Sequence, residues 1–371
     1  VIDSNRSGYY TFLFRNTPNI NRMRQLGCSV YYVSPTNKIV SARVPSKKRL
    51  NQILADPNLR CAEKDCQLML PQPKLKKVFS RKSYRTNSPS FLVKADSQLL
   101  TWNVARVLGG RPRPNDGKHV KVGVIDTGID LKHPDLAANV KGGVNLVNPT
   151  SAPQDDNGHG SHVAGIIGAV NNGRGVVGVA GGVSLYAIKV LNQNGTGTLT
   201  TLIKGIEWGI RHNMHILNIS VSGGQTVPVV MRDAIHRAVR NGIVVVASAG
   251  NHGDSQGKGD TVQMPGRLPN TIAVAALDRN NQRAPFSSTG PSVDIAAPGV
   301  NILSTFKDGR YASLSGTSMA APHVSGAAAI LKRRYPKVTP LQVKQILQKH
   351  AIDLPPKGVD RLTGAGLVQV R

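Results

Sequence analysis

Acidic side chains are scarce in this chain. Its 371 residues hold 20 Asp and Glu against 47 Lys and Arg, a formal net charge of +27. The shortage is sharpest at the front, where residues 1–95 carry 18 basic and only 4 acidic side chains. So one-sided a field draws polyanions, anionic surfaces or an acidic partner, and it says nothing about fold. Cysteine is nearly absent as well. Cys28, Cys61 and Cys66 are the only three, all near the N-terminus and without the CxxC spacing of a zinc site. They read as three ordinary thiols, or as a Cys61–Cys66 bridge with one thiol left over. No apolar run reaches the roughly 18 residues that a membrane span needs. No repeat is evident. No secretory leader is visible either, and a chain that begins at Val1 leaves that absence undecided.

What is present is globular. Hydrophobic residues make up 40% of the chain and glycine contributes 38 positions. The length allows a large core and an accessory domain. Residues 9–70 read as a small α+β unit. "YYTFLF" (9–14) is strand-like, "NINRMRQLG" (19–27) is helical, and "SVYYVSPTNKIVSARV" (29–44) is a hairpin. "SKKRLNQILADP" (46–57) is a helix with an N-cap serine, and "CQLML" (66–70) is a last strand. The order is βαββαβ, a ferredoxin-like pattern. Residues 71–95 change character. Basic residues and prolines without any acid make a poor core, so the stretch reads as an exposed basic linker open to proteolysis.

From residue 96 to 371, buried strands alternate with helices. "HVKVGVID" (119–126), "SLYAIKVL" (184–191), "ILNISV" (216–221), "GIVVVASAG" (242–250) and "TIAVAAL" (271–277) are apolar runs of parallel-strand type. Residues 199–212 and 228–241 are helical candidates between them. The fold class is α/β, a doubly wound, mostly parallel sheet, and ligands in such sheets bind outside the carboxyl ends of the strands.

Three segments carry chemistry there. "VGVIDTGID" puts Asp126 at the end of a strand. "NGHGSHVAGIIGA" puts His159 at a helix start. "SGTSMAAPHVSG" puts Ser318 at another, with Pro322 expected in the first turn. A hydroxyl is a weak nucleophile that needs a base, and the base needs a carboxylate to orient it and stabilise its charged form. A helix N-terminus supplies unpaired amides beside the serine. Taken alone, Ser318 also reads as the cap of a tightly packed core helix. His162, three residues after His159, lacks the glutamate of HExxH and reads as structural, as does His323.

The chain order Asp, His, Ser, together with "GTSMAAPHVSG", resembles the subtilisin family of serine proteases, the subtilases. The resemblance runs from about residue 96 to "GAGLVQV" near the end. It implies Ser318 as nucleophile, His159 as general base, Asp126 as orienting carboxylate, and Asn251 of "VVVASAGNHG" as an oxyanion-hole donor. Gly195, Thr196 and Gly197 resemble the family's peptide-pairing strand, with Ser220 and Ser222 on the opposite wall. Ser222 stands where glycine is frequent. Gln263 falls where a small residue often floors the pocket before the scissile bond, which implies a shallower or more polar pocket. A calcium loop is implied through Asp135 and Asn172 with the carbonyls of Val170, Arg174 and Val176, and Gln98 or Asp96 completing it. A plain Asn-Gly turn without metal is the alternative there.

A βαββαβ unit ahead of such a domain resembles the family's propeptide, a folding chaperone and tethered inhibitor. The resemblance thus implies a zymogen, cut within residues 71–96, and a secreted or extracytoplasmic monomer acting on polypeptides. An alternative is a catalytically inactive subtilase fold serving as a binding module, with a nucleic-acid-binding first domain. Tyr10, Phe12 and Phe14 would share one strand face as a stacking platform, although the RNP1 pattern is missing.

Overall fold

The structure, a computed structural model, describes residues 8–36, 38–70, 74–79, 98–113 and 115–370. Its first unit runs β1 (Tyr9–Phe14), α1 (Ile20–Gln25), β2 (Ser29–Val33), β3 (Ile39–Arg43), α2 (Lys47–Leu54) and β4 (Leu59–Lys64). The sheet order is β2-β3-β1-β4, antiparallel throughout, as a ferredoxin-like unit requires. Both helices start on a side-chain cap: Asn19 accepts from Arg22 N–H and Ser46 from Arg49 N–H.

Alternation splits β1 between two cores. Phe12 and Phe14, flanked by Tyr10, pack with Met23, Cys28, Val40 and Ile53 inside the small unit. They are core residues and offer no face to stacked bases. Leu13 points the other way and joins a cluster of the large domain. The last strand of the small sheet is β4, so residues 66–70 are not part of it. The chain leaves the sheet there, and β5 (Gln67–Met69) pairs elsewhere. Residues of the expected linker also form structure, as β6 (Lys74–Phe79). All three cysteines are free thiols. Burial pushes Cys61 and Cys66 up to about 11, which leaves them inert at neutral pH.

The large domain opens with α3 (Trp102–Leu108), β7 (Lys121–Asp126), β8 (Val140–Asn145), α4 (His159–Gly168) and β9 (Ser184–Lys189). It continues through β10 (Thr196–Thr198), α5 (Leu199–Arg211), β11 (Ile216–Ile219), α6 (Val229–Arg240), β12 (Val244–Ser248) and β13 (Ile272–Leu277). It closes with β14 (Ile295–Pro298), β15 (Ile302–Phe306), β16 (Arg310–Ser315), α7 (Thr317–Arg334) and α8 (Pro340–Lys349). Seven strands form one parallel sheet in the order β14-β13-β12-β11-β7-β9-β8. Helices α4 and α7 share an apolar cluster on one face, while α5 and α6 fill the other. This is the doubly wound fold that the strand runs predict. The strand order reverses between β7 and β11, and the crevice at such a switch point is where sites form. Asp126 ends β7 and Ser220 follows β11 directly.

Helix α7 explains its own composition. A Cβ on Gly326 would stand 2.6 Å from Cβ of Val179, so only glycine allows this approach. Pro322 is not in the first turn, as the sequence predicts, but is the sixth residue of the helix. Its missing N–H would have reached the carbonyl of Ser318. The Ser220 hydroxyl donates to that carbonyl instead, at 3.2 Å. The proline thus frees a carbonyl that ties β11 to the head of α7.

Candidate active site

Each of the three predicted groups is fixed by the element beneath it. Asp126 is the last residue of β7 and fully buried. His159 opens α4, behind Gly158 at φ 110°, where a Cβ would strike the Phe306 ring. Ser318 is the second residue of α7, in the turn whose amides lack intrahelical acceptors. Asp126 Oδ1 accepts from Thr127 N–H at 2.7 Å and stands 2.8 Å from His159 Nδ1. The other ring nitrogen, His159 Nε2, is buried with no hydrogen-bond partner among the described residues. Ser318 Oγ donates to the Ser220 carbonyl at 3.3 Å rather than to the histidine. Reaching Nε2 requires a turn of the serine side chain, a tightening common to catalytic hydrogen bonds between resting and reacting states.

Asn251 lies beside the serine. Thr317 donates to its Oδ1 twice, from N–H at 2.9 Å and from Oγ1 at 2.8 Å. The carbonyl end is thereby fixed, and Nδ2 is the donor end. Sequence reasoning missed Asp155, which ties the two halves of the Asp–His pair together. It accepts from Thr127 Oγ1 (2.8 Å), Gly158 N–H (2.9 Å), Ser161 N–H (2.9 Å) and Ser161 Oγ (2.6 Å). Those residues flank Asp126 and His159. Burial pushes the pKa of Asp155 up, and the donors oppose it. An acid just ahead of "NGHGSH" was the signal available.

His162 and His323 are structural, as expected. His162 Nε2 lies 2.9 Å from the Ile302 carbonyl and 3.0 Å from that of Ala312. His323 bridges Asn103 and the Met319 carbonyl. Burial pulls His162 down to about 3 and His323 to about 4, so both are neutral. Met319, next to Ser318, is fully buried and shielded from oxidants.

The predicted peptide-binding edges are occupied by the chain itself. β5 pairs antiparallel with β10: Met69 opposite Thr196, Leu68 opposite Gly197, Gln67 opposite Thr198. On the far wall Met69 and Ser222 exchange two backbone hydrogen bonds, each 3.1 Å. Leu70 N–H donates to the Gly195 carbonyl at 3.0 Å. Gly195 has φ +70°, and a Cβ there would meet the Leu70 side chain at 2.7 Å. Leu68 is buried in one cluster with Leu191, Leu199, Val221 and Met264. Beyond the serine, β6 pairs antiparallel with β16, Lys74 opposite Ser315 and Phe79 opposite Tyr311. Gln263 is buried, with Nε2 2.7 Å from His252 Nδ1 and its side chain over Gly250, next to Asn251.

Two acids that sequence reasoning passed over join the units. Glu63 accepts from Val229 N–H (2.7 Å) and Val230 N–H (3.0 Å) at the head of α6. Asp65 accepts from Thr200 N–H at 2.9 Å at the head of α5. Nearby, Tyr32 donates to buried Glu207, which also pairs with Arg237 at 2.6 Å. Burial, then the Glu207 charge, holds the Tyr32 phenol proton on.

The residues of the implied calcium loop also meet. Gln98 Nε2 is 2.6 Å from the Val170 carbonyl and 3.2 Å from that of Val176. Asp135 Oδ2 accepts from Val176 N–H and Tyr311 Oη–H, while Oδ1 is buried without a partner among the described residues. Asn172 is exposed, and its Oδ1 accepts from Arg174 N–H at 3.2 Å. Asp96 lies outside the described residues. Among the described residues no three His, Cys, Asp or Glu gather as a metal cluster. An orphaned carboxylate oxygen among carbonyls and amides is an oxygen-donor set that fits a hard cation.

Comparison with known proteins decides the family: the model of the subtilase family matches residues 117–366. The chain belongs to the subtilase family. This subtilase is 41% identical to a thermostable alkaline protease of Halalkalibacterium halodurans over 328 residues, 87% of this chain and 80% of that one. It is 48% identical to subtilisin E of Bacillus subtilis over 256 residues, 69% of this chain and 65% of that protein. Among solved structures it resembles fervidolysin of Fervidobacterium pennivorans, a keratinolytic enzyme related to subtilisin. The TM-score is 0.83 at 29% identity, covering 98% of this chain but 60% of that one. The subtilase described here is thus a serine protease of the subtilisin type, acting on polypeptides. Among its described residues no helix is long and apolar enough to cross a membrane.

Proposed function

We propose that this subtilase is a self-inhibited zymogen whose N-terminal unit acts as propeptide and whose triad is Asp126, His159 and Ser318. The observation that carries the reading is the path of the chain. It is paired with Ser222 and Gly195 up to Leu70, and again from Lys74 with Ser315, three residues ahead of Ser318. The two paired stretches read as the two sides of a substrate bound at Ser318. The peptide bond to be cut therefore lies between Leu70 and Lys74, near the start of the 71–96 stretch.

The chemistry follows from the groups. Ser318 Oγ attacks the scissile carbonyl as His159 Nε2 takes its proton, and the Asp126 carboxylate stabilises the imidazolium through Nδ1–H. Asn251 Nδ2 and the Ser318 N–H receive the negative oxygen. His159 then hands the proton to the departing amine, leaving an acyl-enzyme. Water repeats the sequence and restores Ser318 and the free acid. Backbone pairing with β10 and Ser222 selects extended chain rather than particular side chains. Buried Gln263, paired with His252, favours a small or polar residue before the cut.

After the cut, the N-terminal unit stays as inhibitor through β5, the Glu63 and Asp65 caps and the Tyr32–Glu207 pair. Asp135, Gln98 and the carbonyls of Val170 and Val176, with Asn172 and the Arg174 carbonyl at the rim, would hold a structural calcium ion that braces this loop. We place the active enzyme outside the cytoplasm as a monomer, on the strength of its family. The test is labelling with a fluorophosphonate probe and hydrolysis of denatured protein. Both should occur in the wild-type chain and vanish in Ser318→Ala. Equal labelling of the two chains would reject the assignment.

A further inference from the structure

We propose that the outer edge of β16 is a substrate-docking strand on the leaving-group side, ending in an apolar pocket for an aromatic side chain. The proposal rests on the reading of Ser318 as nucleophile. In the uncut chain, residues 74–79 are its internal occupant. After that, the extended leaving side of a polypeptide substrate takes their place.

Pairing geometry supports it. β16 already pairs with β15 on one edge, and β6 covers the other. Ser315, opposite Lys74, is three residues ahead of Ser318, and Tyr311, opposite Phe79, is the far end. An antiparallel strand laid there runs away from the nucleophile, as the departing half of a substrate must. An uncovered edge of this kind is a template for strand addition. Its side-chain demands are uneven. Leu75, Lys76 and Lys77 are exposed, so the near part of the edge reads main chain only. Phe79 is the anchor, packed against Ala169, Val176, Leu303 and Tyr311. Val176 and Tyr311 also bond Asp135, so the pocket is built on the loop that braces the domain. The strand "KLKKVF" has little apolar surface of its own. What seats it is an edge that needs partners and a pocket that holds one ring.

The enzyme for the test is the self-processed full chain carrying Phe79→Ala, so that its own strand competes less. Three peptides are compared: residues 67–79 as they stand, the same peptide with Ala for Phe79, and one ending at residue 75. The proposal expects kcat/KM to fall about tenfold or more on losing the ring, the scale of one buried aromatic side chain. It expects at least as large a loss on truncation. Fluorophosphonate labelling, blind to leaving-side residues, reports Ser318 alone. Normal labelling with equal kcat/KM for all three peptides overturns the docking edge and leaves the nucleophile standing. No labelling removes the reading beneath it, and the proposal with it.

Discussion

Asp126 Oδ1 and His159 Nδ1 stand 2.8 Å apart in a site where both side chains are all but fully buried. In the proposed triad, that bond leaves Nε2 as the base. Asp126→Asn presents an amide instead and loses the stabilisation of the imidazolium. Turnover should fall by about 10⁴-fold with little change in KM, the scale found in related serine proteases, subtilisin among them. Steady-state kinetics on a peptide substrate checks this.

Asp155 ties together the segments that carry that pair. Its carboxylate holds Thr127, Gly158 and Ser161 in one knot. Asp155→Asn should lower kcat by about 10²-fold, since small misplacements near a nucleophile cost that much. KM and fluorophosphonate binding before reaction should hold. A fall in KM-linked affinity with kcat intact would point to a merely structural role.

Asn251, the proposed oxyanion donor, has its carbonyl end pinned by Thr317. Asn251→Ala should cost about 10²–10³-fold in kcat, a figure that comes from the corresponding donor in subtilisin itself. Thr317→Val removes one of the two pins and should cost less. A larger loss for Thr317→Val than for Asn251→Ala would contradict this order of roles.

Much of this site was legible in the sequence, and the reason is local. Asp126, His159 and Ser318 each sit in a strand end or helix start built from contiguous glycines and small residues. The βαββαβ unit was legible through caps at Asn19 and Ser46 and through alternation in β1. The parts that were not legible depend on distant partners. Residues 66–70 looked like the last strand of the small sheet in place of Leu59–Lys64, because alternation marks a strand without naming its neighbour. "KLKKVF" looked like linker, because its composition cannot build a core, whereas the edge of β16 and the pocket around Phe79 can seat it. Glu63 and Asp65 carried a signal that went unused. They are two of only four acids in the first 95 residues, spaced to share one strand face.

Those two acids make the proposed inhibitory contact testable. Each caps a helix of the protease, and a cap contributes about 0.5–2 kcal/mol. Glu63→Ala should therefore weaken inhibition by the released N-terminal fragment by about 2- to 30-fold. Inhibition constants for the two fragments check it. Unchanged inhibition would mean that β5 in the cleft carries the complex alone.

Stability should depend on two neutral histidines. Folded His162 and His323 titrate near 3 and near 4, below the unfolded value of 6.5. Below pH 6.5 the unfolded chain takes up protons that the folded chain refuses, so stability falls as pH falls toward those values. Each histidine contributes about 1.4 kcal/mol per pH unit in that window. Denaturant unfolding of Ser318→Ala, with and without His162→Gln, isolates one of them. The slope between pH 6.5 and 4 should be shallower in the double variant, and equal slopes would refute the assignment.

The central proposal is that Ser318 cuts its own chain between the two paired stretches, and intact mass over time tests it most directly. The full chain and Ser318→Ala are folded with calcium and followed side by side. The account predicts that the parent splits at one bond between Leu70 and Lys74 while Ser318→Ala stays whole. Splitting of both chains alike, or a first cut beyond residue 79, would contradict it.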